Sequence, residues 1–234
     1  MALPSLNATP SYELTVPSTG KKYKFRPFLV KEQKVLMLAY ESQDKKQIIN
    51  AMLSTIASCV EDIDIKTLTT SDVDYIFVQL RAKSVGEKIE LSIPCDNCQT
   101  KNPLTVDAEK VNVSSTSREK IVELNKEISV KLKYPTYFDF MTNTDSENKS
   151  QTETIMDVII SCIDSIMTAE ENISAKDESR EEVLKFVESM NSKQFEEISD
   201  FVQNIPQVEY KADFVCVNCG YEKEIRLQGL DDFF

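Results

Sequence analysis

The sequence predicts an α+β fold built of two related halves, and three observations carry that prediction. Short segments of alternating apolar and polar residues are interspersed with stripes at helical spacing. Two Cys-x-x-Cys turns, Cys95-Asp-Asn-Cys98 and Cys216-Val-Asn-Cys219, each stand between two such alternating segments. The order of features up to the first turn then recurs up to the second.

Taken from the N-terminus, Ser11 to Pro17 alternates with Tyr12, Leu14 and Val16 on one face, and Lys22 to Arg26 returns after the turn residues Pro17-Ser-Thr-Gly20. This predicts a hairpin. Val30 to about Tyr40 fits a helix, and Lys45 to Val60 fits a second, with Ile48, Ile49, Met52, Ile56 and Cys59 at helical spacing. Thr70-Ser-Asp-Val reads as a helix start, followed by the stripe Val73, Ile76, Phe77 and Leu80, and Gly86 closes it. Glu87 to Pro94 is a strand entering the first cysteine turn, and Leu104 and Val106 begin the returning strand. Asn112 to Arg118, rich in Ser and Thr, is the best linker candidate.

Beyond it, Ile128 to Tyr134 alternates as a strand, Asn143 to Thr154 is polar and reads as a loop, and Ile155 to Ile166 reads as a strongly apolar helix. Two further helices are expected near 177–190 and 192–203. Val208 to Phe214 leads into the second cysteine turn and Glu222 to Leu227 leaves it.

Cys59 and Cys162 lie 103 residues apart, and Ile56, Val60 and Ile63 fall on Ile159, Ile163 and Ile166 at that shift. A second shift of 121 places Ser71 on Ser192, Leu80 on Phe201, Ile93 on Phe214 and the first cysteine turn on the second. An extra acidic stretch around Glu170 to Glu188 accounts for the difference. An internal duplication explains the matching order, which two chance cysteine pairs do not. The expected halves are 1–117, carrying Cys95 and Cys98, and 118–234, carrying Cys216 and Cys219, as two α+β bodies or one pseudo-two-fold unit.

Composition narrows the chemistry. Hydrophobic residues make up 41% of the 234 and charged residues 28%, a globular balance. There is no histidine, which removes His-activated nucleophiles and His-containing metal sites. The four glycines are too scattered for a dinucleotide fingerprint or a P-loop. The net charge of −12 repels phosphate backbones and anionic lipid, so neither nucleic acid nor membrane is expected as a partner. No 18-residue apolar run is present, and Met1-Ala-Leu-Pro-Ser-Leu does not read as a signal peptide. The host of this chemistry is expected to be a cytosol, where stable disulfides do not persist.

The four turn cysteines therefore read as ligands of one structural zinc ion held by thiolates in a ribbon-like site, a clasp with no open position for catalysis. Strand-flanked turns disfavour thiol–disulfide exchange, which normally uses a helix N-terminus to lower the thiolate pKa, and reduced cysteines holding no metal are the remaining alternative. Spacing leaves open whether the zinc is shared within one chain or between two. Cys59 and Cys162 read as core residues. The acidic pairs Asp62/Asp64 and Asp72/Asp74 read as caps or solvated surface, as do the basic pairs Lys21/Lys22 and Lys45/Lys46. The terminal Phe233 and Phe234 are either tucked into the fold or held out for a partner, and they are put forward as partner-binding residues.

Several stretches resemble the baseplate hub assembly proteins of T-even-type contractile-tailed phages: Met1-Ala-Leu-Pro-Ser-Leu-Asn, Tyr12-Glu-Leu, Pro17-Ser-Thr-Gly20, Arg26-Pro-Phe-Leu-Val-Lys-Glu32 and Leu80-Arg-Ala-Lys-Ser-Val-Gly-Glu87. The resemblance covers the first hundred residues, and the second half shares mainly its cysteine turn and the Leu-x-Gly-Leu segment. It implies a non-enzymatic factor that promotes assembly of the tail baseplate hub, or a hub subunit retained in the virion. The partners would be baseplate hub proteins, met in the host cytoplasm during assembly or in the virion tail baseplate. The resemblance brings no catalytic residues with it. A zinc-ribbon module acting on nucleic acid and a thiol oxidoreductase are the readings from other classes.

Overall fold

The computed structural model describes residues 10–114, 119–139 and 150–233. The chain divides into two units, of which the first is discontinuous: it takes Met1–Ile65, Ser71–Ser114 and Gln207–Phe234, and the second takes Lys66–Thr70 and Ser115–Pro206.

The first unit opens with the antiparallel hairpin β1 (Tyr12–Thr15) and β2 (Lys22–Phe25), whose alternation buries Leu14 and Phe25. Helix α1 (Val30–Ser42) follows, ending where Gln43 turns left-handed, and α2 (Lys45–Cys59) starts on Asp44, whose carboxylate accepts the Lys46 and Gln47 N–H groups. The buried residues of α2 are Ala51, Met52, Thr55, Ile56 and Cys59, a stripe at helical spacing. Helix α3 (Thr70–Ser84) buries Val73, Ile76, Phe77, Val78, Leu80 and Ala82, too wide an arc for a surface helix. Asp72, fully buried on α3, accepts the backbone N–H and the hydroxyl of Ser18, holding the β1–β2 turn.

Two long hairpins complete this unit. Strands β3 (Lys88–Pro94) and β4 (Lys101–Asp107) pair from Lys88↔Asp107 to Pro94↔Lys101. Strands β10 (Val208–Val215) and β11 (Glu222–Gln228) pair from Glu209↔Gln228 to Val215↔Glu222. The two-residue strand β5 (Asn112–Val113) adds to the free edge of β10. Part of the expected linker is thus sheet, drawn in by tertiary pairing that Ser/Thr-rich composition does not reveal; its remainder, 115–118, lies outside the described residues. Val78 and Ala82 of α3, Ile89, Val106, Val208, Phe214, Ile225 and Leu227 form one core with Cys95 and Cys216.

The second unit is a four-stranded antiparallel sheet in the order β6-β7-β8-β9, with β6 Glu119–Glu123, β7 Ser129–Lys133, β8 Ile163–Met167 and β9 Asn172–Ser174. Helices α4 (Gln151–Cys162), α5 (Arg180–Glu188) and α6 (Ser192–Gln203) each begin with a reciprocal capping box, Ser150/Glu153, Ser179/Glu182 and Asn191/Gln194. They cover the sheet with Ile159, Cys162, Val183, Val187, Ile198 and Phe201 against Val122, Val130, Leu132 and Ile163. The Tyr134 and Phe201 rings stack at 4.5 Å and 3°.

Here the sequence reading is corrected. The expected helix over Ile155 to Ile166 stops at Cys162, and Ile163 to Met167 is a central strand; a short, mostly apolar segment fits a buried strand as well as the end of a buried helix. The polar loop expected over Asn143 to Thr154 is already helix from Gln151, and 140–149 lies outside the described residues. The acidic stretch around Glu170 to Glu188 contains β9 and α5. A division at 117/118 differs from the compact units, which separate at 114/115 and again at 206/207 and so place both cysteine turns in one unit.

Candidate metal centre

Each cysteine turn is built the same way. In the first, Cys95 N–H donates to Thr100 O at 3.0 Å and Gln99 N–H to Cys95 O at 2.8 Å. In the second, Cys216 N–H donates to Tyr221 O at 2.9 Å and Gly220 N–H to Cys216 O at 3.0 Å. Tight strand pairing delivers the chain to each turn, and these bonds curl it so that both thiols of a pair face the same side.

The two turns meet. Cys95 and Cys219 Sγ lie 3.7 Å apart and Cys98 and Cys216 Sγ 3.6 Å apart, with all four sulfurs within 4.8 Å of one another. A tetrahedral zinc with bonds of about 2.3 Å separates its sulfurs by about 3.8 Å, so the spacing fits such an ion. Cys95 and Cys216 are buried, Cys98 is half-buried and Cys219 is exposed. All six cysteines are free thiols.

Hydrogen bonds run crosswise. Asn97 Nδ2 of the first turn donates to Cys219 Sγ of the second at 3.7 Å, and Asn218 Nδ2 of the second donates to Cys98 Sγ of the first at 3.6 Å. Asn102 Nδ2 on β4 reaches Cys216 Sγ at 3.7 Å. The Thr100 hydroxyl, then the Thr100 N–H and the Asn218 amide, hold the Cys98 thiol down to about 6. The Cys219 and Asn218 N–H groups lower Cys216. The Tyr221 N–H acts to lower Cys219, but partial desolvation at the site and the neighbouring Cys98 and Cys216 sulfurs push it up to about 11. Four thiolates this close repel one another, and a divalent cation removes the conflict. The reading from spacing named these four cysteines but missed the asparagines. A signal for two of them was present, since both turns carry Asn directly before their second cysteine.

The other residues singled out fall elsewhere. Phe233 lies on a short 3-10 turn, Leu230–Phe233, and is fully buried in the core of the first unit. It has no surface to offer a partner, which corrects that assignment; Phe234 lies outside the described residues. Cys59 and Cys162 are buried in the cores of their own units, and burial pushes the Cys162 thiol up to about 12. Asp62 and Asp64 stand on the turn after α2, and Lys21 lies over the Tyr23 ring. Among the described residues no helix is long and apolar enough to cross a membrane.

Fold and site together define a mixed α/β protein of small antiparallel sheets with four cysteines gathered in one cluster. The chain belongs to the family described as T4 bacteriophage base plate protein, whose model matches residues 9–234. No curated protein and no solved structure matches it.

Proposed function

We propose that this baseplate-family chain is a non-enzymatic assembly factor for the tail baseplate hub, acting by protein–protein contact and held in shape by one zinc ion on Cys95, Cys98, Cys216 and Cys219. The family match over nearly the whole chain carries the reading. Four thiolates fill a tetrahedral zinc and leave no position for water, so the ion would supply cross-linking and no bond chemistry. It would close a chain segment of more than a hundred residues by joining β3–β4 to β10–β11, the kind of constraint a small unit with long loops gains most from.

The net charge of −12 suits a factor steered toward basic patches on hub proteins. The repeat of geometry supports an internal duplication. Strands β3 and β4 coincide with β10 and β11 at a shift of 121, and α2 and α4 both end on the matched cysteines Cys59 and Cys162. Each helix is followed by a residue paired to a hairpin, Val60 to Phe25 and Ile163 to Leu132.

A second reading, a hub subunit retained in the virion, is favoured by α1, where Val30 is 79% exposed and Met37 and Leu38 are more than half exposed. Permanent interfaces are more apolar than transient ones. Quantitative mass spectrometry of mature particles beside the infected-cell lysate separates the two. Abundance in lysate with absence from particles is the expected result, and a fixed copy number per particle establishes the retained subunit instead.

A further inference from the structure

The shift of 121 residues that maps one cysteine turn onto the other also maps Asn102 onto Lys223 and Asp96 onto Val217. Both pairs bridge the two hairpins, and they do so with unlike chemistry. On one side Lys223 Nζ meets Asp96 Oδ2 at 2.6 Å, with 63% of the Asp96 side chain in solvent. On the other, Asn102 is 2% exposed. Its Oδ1 accepts the Val217 N–H at 2.8 Å, and its Nδ2 donates to Thr100 O at 2.7 Å and to Cys216 Sγ at 3.7 Å.

The energetics of these two bridges differ. An exposed ion pair gains little over its solvated partners and is screened by salt. A buried amide that uses both its donor and its acceptor is costly to lose, because truncation leaves the Val217 N–H without its acceptor and removes one of the two donors to the Thr100 carbonyl. Asn102 also touches three parts of the site at once: its own turn through Thr100, the facing turn's backbone through Val217, and a ligand sulfur through Cys216.

Resting on the zinc reading above, we propose that Asn102 is the positioning residue of the metal centre. It fixes the second cysteine turn on the first and aims an N–H at Cys216, so that the four sulfurs converge before the ion arrives. Lys223 and Asp96 occupy the equivalent place without that role. Donors to a ligand sulfur both orient it and stabilise its anionic form, and removing one typically weakens metal binding by about 10–100-fold.

The test measures zinc affinity of the full-length chain by competition with a chromophoric chelator, for the wild type, Asn102→Ala, Asn102→Asp and Lys223→Ala. Circular dichroism checks folding, and the cobalt(II)-substituted proteins report the sulfur-to-metal charge-transfer band. Asn102→Asp keeps an acceptor for the Val217 N–H but loses the donor to Cys216. The expected result is a loss of about 10–100-fold in both Asn102 variants with a shifted cobalt band. Lys223→Ala should stay within about threefold of wild type, as expected for an exposed pair. If the wild type binds no zinc, the metal reading itself fails. If the wild type binds and Asn102→Asp binds equally well with an unchanged band, only the role of Asn102 is overturned. An equal loss in Lys223→Ala overturns it too. So does failure of both Asn102 variants to fold in saturating zinc, which makes Asn102 a residue of the fold alone.

Discussion

Gln99 and Gly220, 121 residues apart, adopt the same left-handed backbone, with φ of 58° and 69°. Each donates its N–H to the carbonyl of the first cysteine of its turn. The geometry is therefore demanded by the turn and not by the residue, and only one of the two positions carries the residue suited to it. Gly220→Ala is expected to destabilise the first unit by about 1 kcal/mol through φ alone, since nothing lies within 4 Å of the added Cβ. Gln99→Gly should relieve the same strain and come out neutral to slightly stabilising. Denaturant titration of the two variants checks both signs.

Metal removal gives the second prediction. One zinc per chain is expected by elemental analysis, lost in Cys95→Ser and in Cys216→Ser. Zinc at a thousandfold over its dissociation constant would contribute about 4 kcal/mol, so a chelator should lower the melting temperature markedly. Full stability of either variant without metal contradicts the clasp.

Thiol reactivity separates the cysteines into two groups. In chelator-treated folded protein, an alkylating agent near neutral pH should modify Cys98 first, half-buried and with its thiol held at about 6, and Cys219 more slowly, exposed but with its thiol pushed up to about 11. Cys59 and Cys162, buried and with raised pKa, should react only in denaturant. Zinc should protect the first group and leave the second unchanged, as mass spectrometry of the labelled peptides will show.

Acid stability has a defined direction at Glu32. Burial acts to raise its carboxyl, but the Arg26 guanidinium at 2.9 Å and the Leu29 N–H at 2.9 Å outweigh burial and hold it below its ordinary 4.5. A folded-state pKa below the unfolded one means that the ionised group stabilises the fold above about pH 4.5. That contribution disappears as pH falls through the folded value. Glu32→Gln should therefore be less stable at pH 7 and show a shallower loss of stability below pH 4.5, measured by denaturation across that range.

Much of the second hairpin and of the thiol cluster was legible because local pattern and spacing carry them: alternation into a cysteine turn fixes strands, and matched turns at one shift imply matched geometry. The strand β8 was not legible, since the apolar residues of 155–166 suit a helix throughout and the helix end at Cys162 is set by pairing of Ile163 with Leu132 and Ile166 with Val130. Strand β5 exists only because β10 has an edge to fill. The burial of Phe233 depends on a core assembled from α3 and both hairpins, which no local window contains. Asn102 was invisible for the same reason: its partners Cys216 and Val217 are 114 and 115 positions away.

The discontinuity of the first unit sets an order of events during synthesis. Most of the second unit is synthesised before 207–234, so the first unit cannot close its core until β10 and β11, which follow the second unit in the chain, have been added. The earlier hairpin must wait with Cys95 and Cys98 presented to nothing. Only a chain that extends past Cys219 brings the second pair to them, so a product that stops before Cys216 carries half the cluster and an open core. An open core and unpaired strand edges are what proteases act on, so the meeting of the two cysteine turns separates chains that can resist proteolysis from chains that cannot.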